Sequence, residues 1–180
     1  GGSSKRNIKN VDLKNNRKNT WGTGLIFNHA IDSIQNVTVA AGFTREISES
    51  ANNTAYYRNA YGLGLAYNFV HTTYGLDLER QVTKNQGDKR TKNEVRAIVR
   101  QGLNEDWNVY AMYAYKTDKQ FGDTDRTRQF MVGTEYYVYN QGSLKVKPFL
   151  EWQATRTKYE NSTVDRSRDF KTVIGLRAYW

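Results

Sequence analysis

The chain has no cysteine among its 180 residues, which excludes disulfides, zinc-thiolate centres and a cysteine nucleophile. Histidine is nearly absent too, with only His29 and His71. His29 lies in Phe27-Asn-His-Ala-Ile-Asp-Ser33, but strand-turn geometry scatters those side chains, and a nucleophile needs its base within about 3 Å. Both histidines read as turn residues, so no enzyme and no cofactor is expected. Asp123, Asp125 and Asp165 lack calcium-loop spacing, so no metal is expected either. They read as solvating loop tips beside Arg126, Arg128, Arg166 and Arg168. No apolar run approaches the roughly 18 residues of a membrane helix, and the mean hydropathy is -0.82. That excludes a helical membrane protein but not a β-barrel, whose strands show lipid only every other residue. The opening Gly1-Gly-Ser-Ser4 has no charged-then-apolar leader, so export is inferred from the pattern that follows.

Aromatic residues are plentiful: 13 Tyr, 7 Phe and 4 Trp make up 13% of the chain, enough for an interfacial girdle. A soluble β-sandwich or barrel is the alternative source of so much Tyr and Trp. The stretch Phe170 to Trp180 alternates strictly, with Phe170, Ile174, Leu176, Ala178 and Trp180 on one strand face and Lys171, Arg177 and Tyr179 on the other. An alternating strand that closes on an aromatic fits the last strand of an outer-membrane barrel, where Trp152, Phe170 and Trp180 would sit at the membrane interface.

Similar segments are predicted at 19–31, 35–48, 54–70, 73–84, 92–102, 107–119, 126–140, 143–158 and 167–180. An antiparallel bacterial barrel needs an even count, and Ile8 to Leu13 is the one candidate for a tenth strand. The expected fold is an all-β, transmembrane, up-and-down antiparallel barrel of about ten strands over 19–180, or twelve if incomplete, preceded by a basic segment, 1–18, that is a tail or a first strand. Connections are expected to alternate between a short set, near Asp32, His71, Asn104 and Asn140, and a long set at 49–53, 83–91, 117–126 and 158–166. Periplasmic turns and extracellular loops alternate in this way.

Alternation assigns the faces. Leu25, Val39, Leu63, Leu65, Leu76, Leu78, Val95, Val99, Val109, Val132, Leu150 and Trp152 form one apolar band. The opposite face carries charge, which costs about 2–4 kcal/mol per Arg or Lys at a bilayer midplane and so belongs in a lumen. Arg58, Arg96, Arg100, Lys116, Lys147, Lys171 and Arg177 are the candidate solute contacts there. Asp77, Glu79, Glu94, Glu135 and Glu151 are their counter-charges. Gly22, Gly24, Ala40, Gly42, Gly62, Gly64 and Ala66 leave the lumen wall of the first three full strands small. Two readings of such a lumen are open. In one the bases form a track for anionic solutes, since a low-dielectric wall of one sign concentrates counter-charge. In the other the carboxylates neutralise them, in a closed barrel whose long loops bind a protein partner or lipopolysaccharide.

The formal net charge of +9 is unevenly spread, because Lys5, Arg6, Lys9, Lys14, Arg17 and Lys18 face only Asp12 in the first twenty residues. Bases alternate with acids elsewhere and no aromatic-basic reading motif occurs, so no nucleic-acid partner is expected.

The pattern Lys147-Pro-Phe-Leu-Glu-Trp152, a polar loop, then Phe170 to Trp180, resembles the last hairpin of the oligogalacturonate-specific porins. Asn93 to Gly102 followed by Asp106 to Tyr115 resembles that family's central hairpins. The resemblance covers roughly residues 90 to 180; the chain reads as ten strands where the family has twelve. It implies a small barrel of the bacterial outer membrane, in contact with its lipid and lipopolysaccharide. It also implies a basic lumen that carries acidic oligosaccharides.

Overall fold

The computed structural model describes residues 2–5, 17–49, 55–85, 87–141, 144–161 and 166–179. Eleven strands account for nearly all of them: β1 (Gly2–Lys5), β2 (Arg17–Ala30), β3 (Gln35–Glu49), β4 (Ala55–Phe69), β5 (Thr72–Asn85), β6 (Asp88–Gly102), β7 (Trp107–Gln120), β8 (Asp123–Tyr136), β9 (Tyr139–Gln141), β10 (Leu144–Lys158) and β11 (Arg166–Tyr179). They form one antiparallel up-and-down sheet in chain order, with the short β9 pairing β10 beside the end of β8. Nine strands are 14 or 15 residues long. Among the described residues no pairing joins β11 back to β1 or β2, so the sheet is not closed there. The expected strand Ile8 to Leu13 and the closing Trp180 lie outside the described residues.

The strands stand close to their sequence-predicted positions, but the alternation of short and long connections does not hold. Residues 83–91 and 117–126 were expected as long loops; instead β5 and β6 are paired to Asn85↔Asp88, and β7 and β8 to Gln120↔Asp123. Phe121 and Gly122, with φ of 52° and 95°, make the two-residue turn whose twist matches its strands. The polar composition of these stretches reflects strand ends projecting into water, which a sequence reading mistakes for loop. The expected strand 126–140 also breaks, at Tyr137 and Val138, before β9. At the other end of the sheet Asp32 and Asn104 build the turns: Asp32 Oδ1 accepts from Ile34 N at 2.8 Å, and Asn104 Oδ1 accepts from Asp106 N at 3.0 Å and Trp107 N at 2.8 Å. We call this the proximal end, and the end bearing Phe121 and Gly122 the distal end.

Burial is inverted relative to a water-soluble sandwich. Among the described residues thirty large apolar or aromatic side chains are exposed, while the largest fully buried side chain is that of Glu135. The unbroken pairing register explains this, because it keeps every apolar residue of the sequence-derived band on one face. Aromatic side chains gather toward the strand ends of that face. Distally, Trp21, Phe43 and Tyr61 contact one another at ring separations of 5.3 and 5.0 Å, and Phe130, Trp152 and Phe170 at 6.5 and 6.1 Å. Proximally lie Tyr67, Tyr74, Trp107 and Tyr136, with aliphatic residues between the two belts.

Candidate functional site on the polar face

The polar face divides into a bare half and a filled half. On β2 to β4 the register aligns Gly24, Gly42 and Gly62 in one row and sets Ala40 beside Gly64. A cavity of about 900 Å³ lies over them, bounded on the other side by Asp77, Glu79, Glu94 and Arg96. A Cβ placed on Gly62 would meet nothing within 4 Å, whereas one on Gly64 would meet Asp77 Oδ1 at 3.2 Å. The absence of side chains on three consecutive strands therefore creates the space.

Three charge clusters occupy the other half; one pairs Asp118 of β7 with Arg90 and Lys92 of β6, and two hold bases singled out from sequence. In the first of these two, Glu94 on β6 accepts from Arg96 Nη2 at 2.7 Å and pairs with Lys116 Nζ on β7 at 3.3 Å, while Arg96 Nη1 lies 3.9 Å from Asp77 on β5. The second is centred on Glu135 of β8, only 1% exposed, which pairs with Arg100 Nη1 of β6 at 3.3 Å, Lys147 Nζ of β10 at 3.3 Å and Arg177 Nη1 of β11 at 3.2 Å. Arg177 Nη2 also donates to Glu151 Oε1 at 2.6 Å, and Tyr110 donates to the same oxygen at 2.6 Å. This cluster holds three cations against two carboxylates, an excess of one positive charge.

Two glycines make the second cluster geometrically feasible. Tyr110 pairs with Gly133, and its ring occupies the place of the missing side chain: a Cβ on Gly133 would sit 2.5 Å from Tyr110 Cζ. The ring thereby lies flat over β8 and carries its hydroxyl to Glu151 on β10. Phe149 likewise covers Gly175, with a hypothetical Cβ 2.5 Å from Phe149 Cζ, and the Arg177 guanidinium rests 4.0 Å from the Phe149 ring centre. Lys147 Nζ lies 4.4 Å from the centre of the Tyr137 ring.

Of the seven bases singled out from sequence, Arg96, Arg100, Lys116, Lys147 and Arg177 are thus in ion pairs with Asp77, Glu94, Glu135 and Glu151. Arg58 faces Gln81, whose amide oxygen, turned toward the guanidinium, accepts from Nη2 at 2.5 Å and Nε at 2.7 Å. Lys171 is exposed on the polar face of β11, and Glu79 borders the cavity. Trp152 and Phe170 stand on the apolar face, their rings stacked with centres 6.1 Å apart. Sequence reasoning missed Tyr110 and Phe149. A glycine directly opposite an aromatic on the same strand face was the available signal.

Neither histidine joins these clusters. His29 stacks on Phe27 of the apolar face, with ring centres 6.3 Å apart, and Asp32 directs both carboxylate oxygens into its own turn. No protein-family model and no curated protein matches the chain.

Proposed function

We propose that the chain is a β-barrel of the bacterial outer membrane that passes small hydrophilic solutes, acidic oligosaccharides among them, along the glycine wall of its polar face. The cavity over Gly24, Gly42, Gly62 and Gly64 carries this reading, since it leaves a smooth, open path opposite a charged wall. The apolar face supports membrane residence: an aliphatic band between two aromatic belts is what a tilted spanning strand presents to lipid. Strands of 14 or 15 residues exceed the roughly 9–11 needed to cross a bilayer.

Ion pairing limits selectivity. Five of the seven proposed contacts are already balanced by carboxylates, so anion preference would rest on Lys171, Arg58 and the single surplus charge of the Glu135 cluster. A weak anion preference follows in place of a strong basic track. The same ion pairs favour a second reading, in which the filled half blocks conduction and the protein serves as a structural or interaction barrel. Single-channel recording in a planar bilayer under a salt gradient separates the two. Steady conductance with a small anion-selective reversal potential supports passage; silence from inserted protein supports the second reading.

A further inference from the structure

Beyond the distal aromatic belt, the apolar face of β8, β10 and β11 changes character abruptly. Arg128, Arg156 and Arg168 stand directly opposite one another in one row, and Arg126, Lys158 and Arg166 in the next. All six are exposed. None has a hydrogen bond or ion pair with any described residue. Asp123, Asp125 and Asp165 were expected to solvate loop tips beside Arg126, Arg128, Arg166 and Arg168, but the four arginines lie within strands, Asp123 and Asp125 alternate onto the polar face of β8, and Asp165 lies outside the described residues. The Glu160 carboxylate accepts from Thr124 N.

Like charges directly opposite on a sheet face destabilise it, and here two successive rows of three repeat that arrangement. Rows across three strands spaced about 4.8 Å apart suit a group carrying more than one negative charge. Tyr115, Arg126, Arg128, Arg156, Lys158 and Arg166 surround a hollow of about 140 Å³. Immediately below lie Phe130, Trp152 and Phe170, a continuous apolar surface. A soluble phosphate would use the cations and leave the aromatic surface bare; a phosphorylated lipid uses both.

We infer that this cluster binds the phosphate groups of an anionic glycolipid in the outer leaflet, with the lipid's acyl chains against Phe130, Trp152 and Phe170. The inference rests on the membrane-barrel reading above. The bound phosphates supply the counter-charge that the described residues withhold from these six side chains.

The test uses the full chain folded in zwitterionic micelles and titrated with bisphosphorylated lipid A, with dephosphorylated lipid A, and with inorganic phosphate as competitor. R128Q/R156Q/R168Q should bind bisphosphorylated lipid A about 100-fold more weakly, at roughly fivefold for each of three surface charges. R128K/R156K/R168K should retain most of the affinity, and R80Q, elsewhere on the apolar face, should leave it unchanged. Circular dichroism establishes that each variant keeps its strands. Equal binding by the glutamine variant, equal binding of dephosphorylated lipid A, or displacement by inorganic phosphate alone would overturn the inference. Flotation with neutral phosphatidylcholine vesicles separates the failures: a parent chain that inserts without selecting the phosphorylated lipid defeats this inference only, whereas one that does not insert defeats the membrane reading as well.

Discussion

Replacing Glu135 by Gln removes one charge and almost no volume from the most buried charged position among the described residues. The carboxylate pairs with Lys147, Arg100 and Arg177 at 3.3, 3.3 and 3.2 Å. Each such contact amounts to about 5 kcal/mol at an effective dielectric of about 20. Solvent screens two of them, because the Arg100 and Arg177 side chains are 47% and 34% exposed, whereas Lys147 is 9% exposed. Glutamine would leave Lys147 buried with its principal anion gone, and Glu151 alone would face three cations. Breaking a buried pair from one side costs about 3–5 kcal/mol, and the screening places E135Q near the lower figure. Urea unfolding of the micelle-folded chain, followed by tryptophan fluorescence, should show the midpoint lowered by about 1–3 M for a denaturant slope of about 1–3 kcal/mol/M. E135Q/K147M removes the cation of that pair as well and should be more stable than the sum of its single variants. A single variant within about 0.5 kcal/mol of the parent, the range of ordinary surface substitutions, would refute the view that Glu135 organises this half of the sheet.

Three further substitutions separate space, packing and charge. Gly62→Phe points a ring into the cavity without meeting a neighbour at Cβ, and single-channel recording should find conductance sharply reduced with folding intact; unchanged conductance would remove the glycine wall from the path. Gly133→Ala sets a methyl group into the Tyr110 ring, so overpacking should destabilise the chain by about 1–3 kcal/mol in the urea assay, and Y110A/G133A should recover part of that loss. R96E/R100E should reverse the sign of the ion preference in a salt gradient, and unaltered selectivity would exclude both residues as solute contacts.

The sheet was legible because alternation is a local signal. Leu63, Leu65 and Tyr67 declare a strand face from the residue types alone, and the same parity correctly places Asp77, Glu94 and Arg96 together on the other side. The connections were less legible, since Lys84, Lys89, Lys119 and Arg90 are polar whether they form a loop or the end of a strand standing in water. Ion-pair partners were not legible at all. Arg100 reaches past β7 to Glu135 on β8, and Tyr110 past β8 to Glu151 on β10; such contacts depend on side-chain length and on the clearance that Gly133 provides. Of the basic cluster on β8, β10 and β11, sequence reading singled out Arg126, Arg128, Arg166 and Arg168 but not Arg156 or Lys158, and not the two opposed rows, because those depend on register across two hairpins.

The two halves of the polar face answer different physical demands. The alternation that gives the apolar face its band leaves the other face without the aliphatic residues that hold a soluble core together, so something polar has to fix the strands against one another. Ion pairs that span more than one strand do this for β6 to β11, and the buried carboxylate at their centre ties β6, β8, β10 and β11 into one unit. On β2 to β4 the polar face has, among the described residues, only links between adjacent strands on either side of the glycine and alanine rows, Lys18–Glu46 at 3.0 Å, Asn28–Thr38 at 2.7 Å and Asn36–Asn68 at 2.7 Å, and these strands are held also by backbone pairing and by contacts on the apolar face, including the Trp21, Phe43 and Tyr61 rings. On the proposed function, a path for solute and a network that stabilises the sheet would thus occupy different strands. Charge at Glu135 and Lys147 would then act mainly on stability, whereas side-chain volume at Gly42 and Gly62 would act mainly on passage.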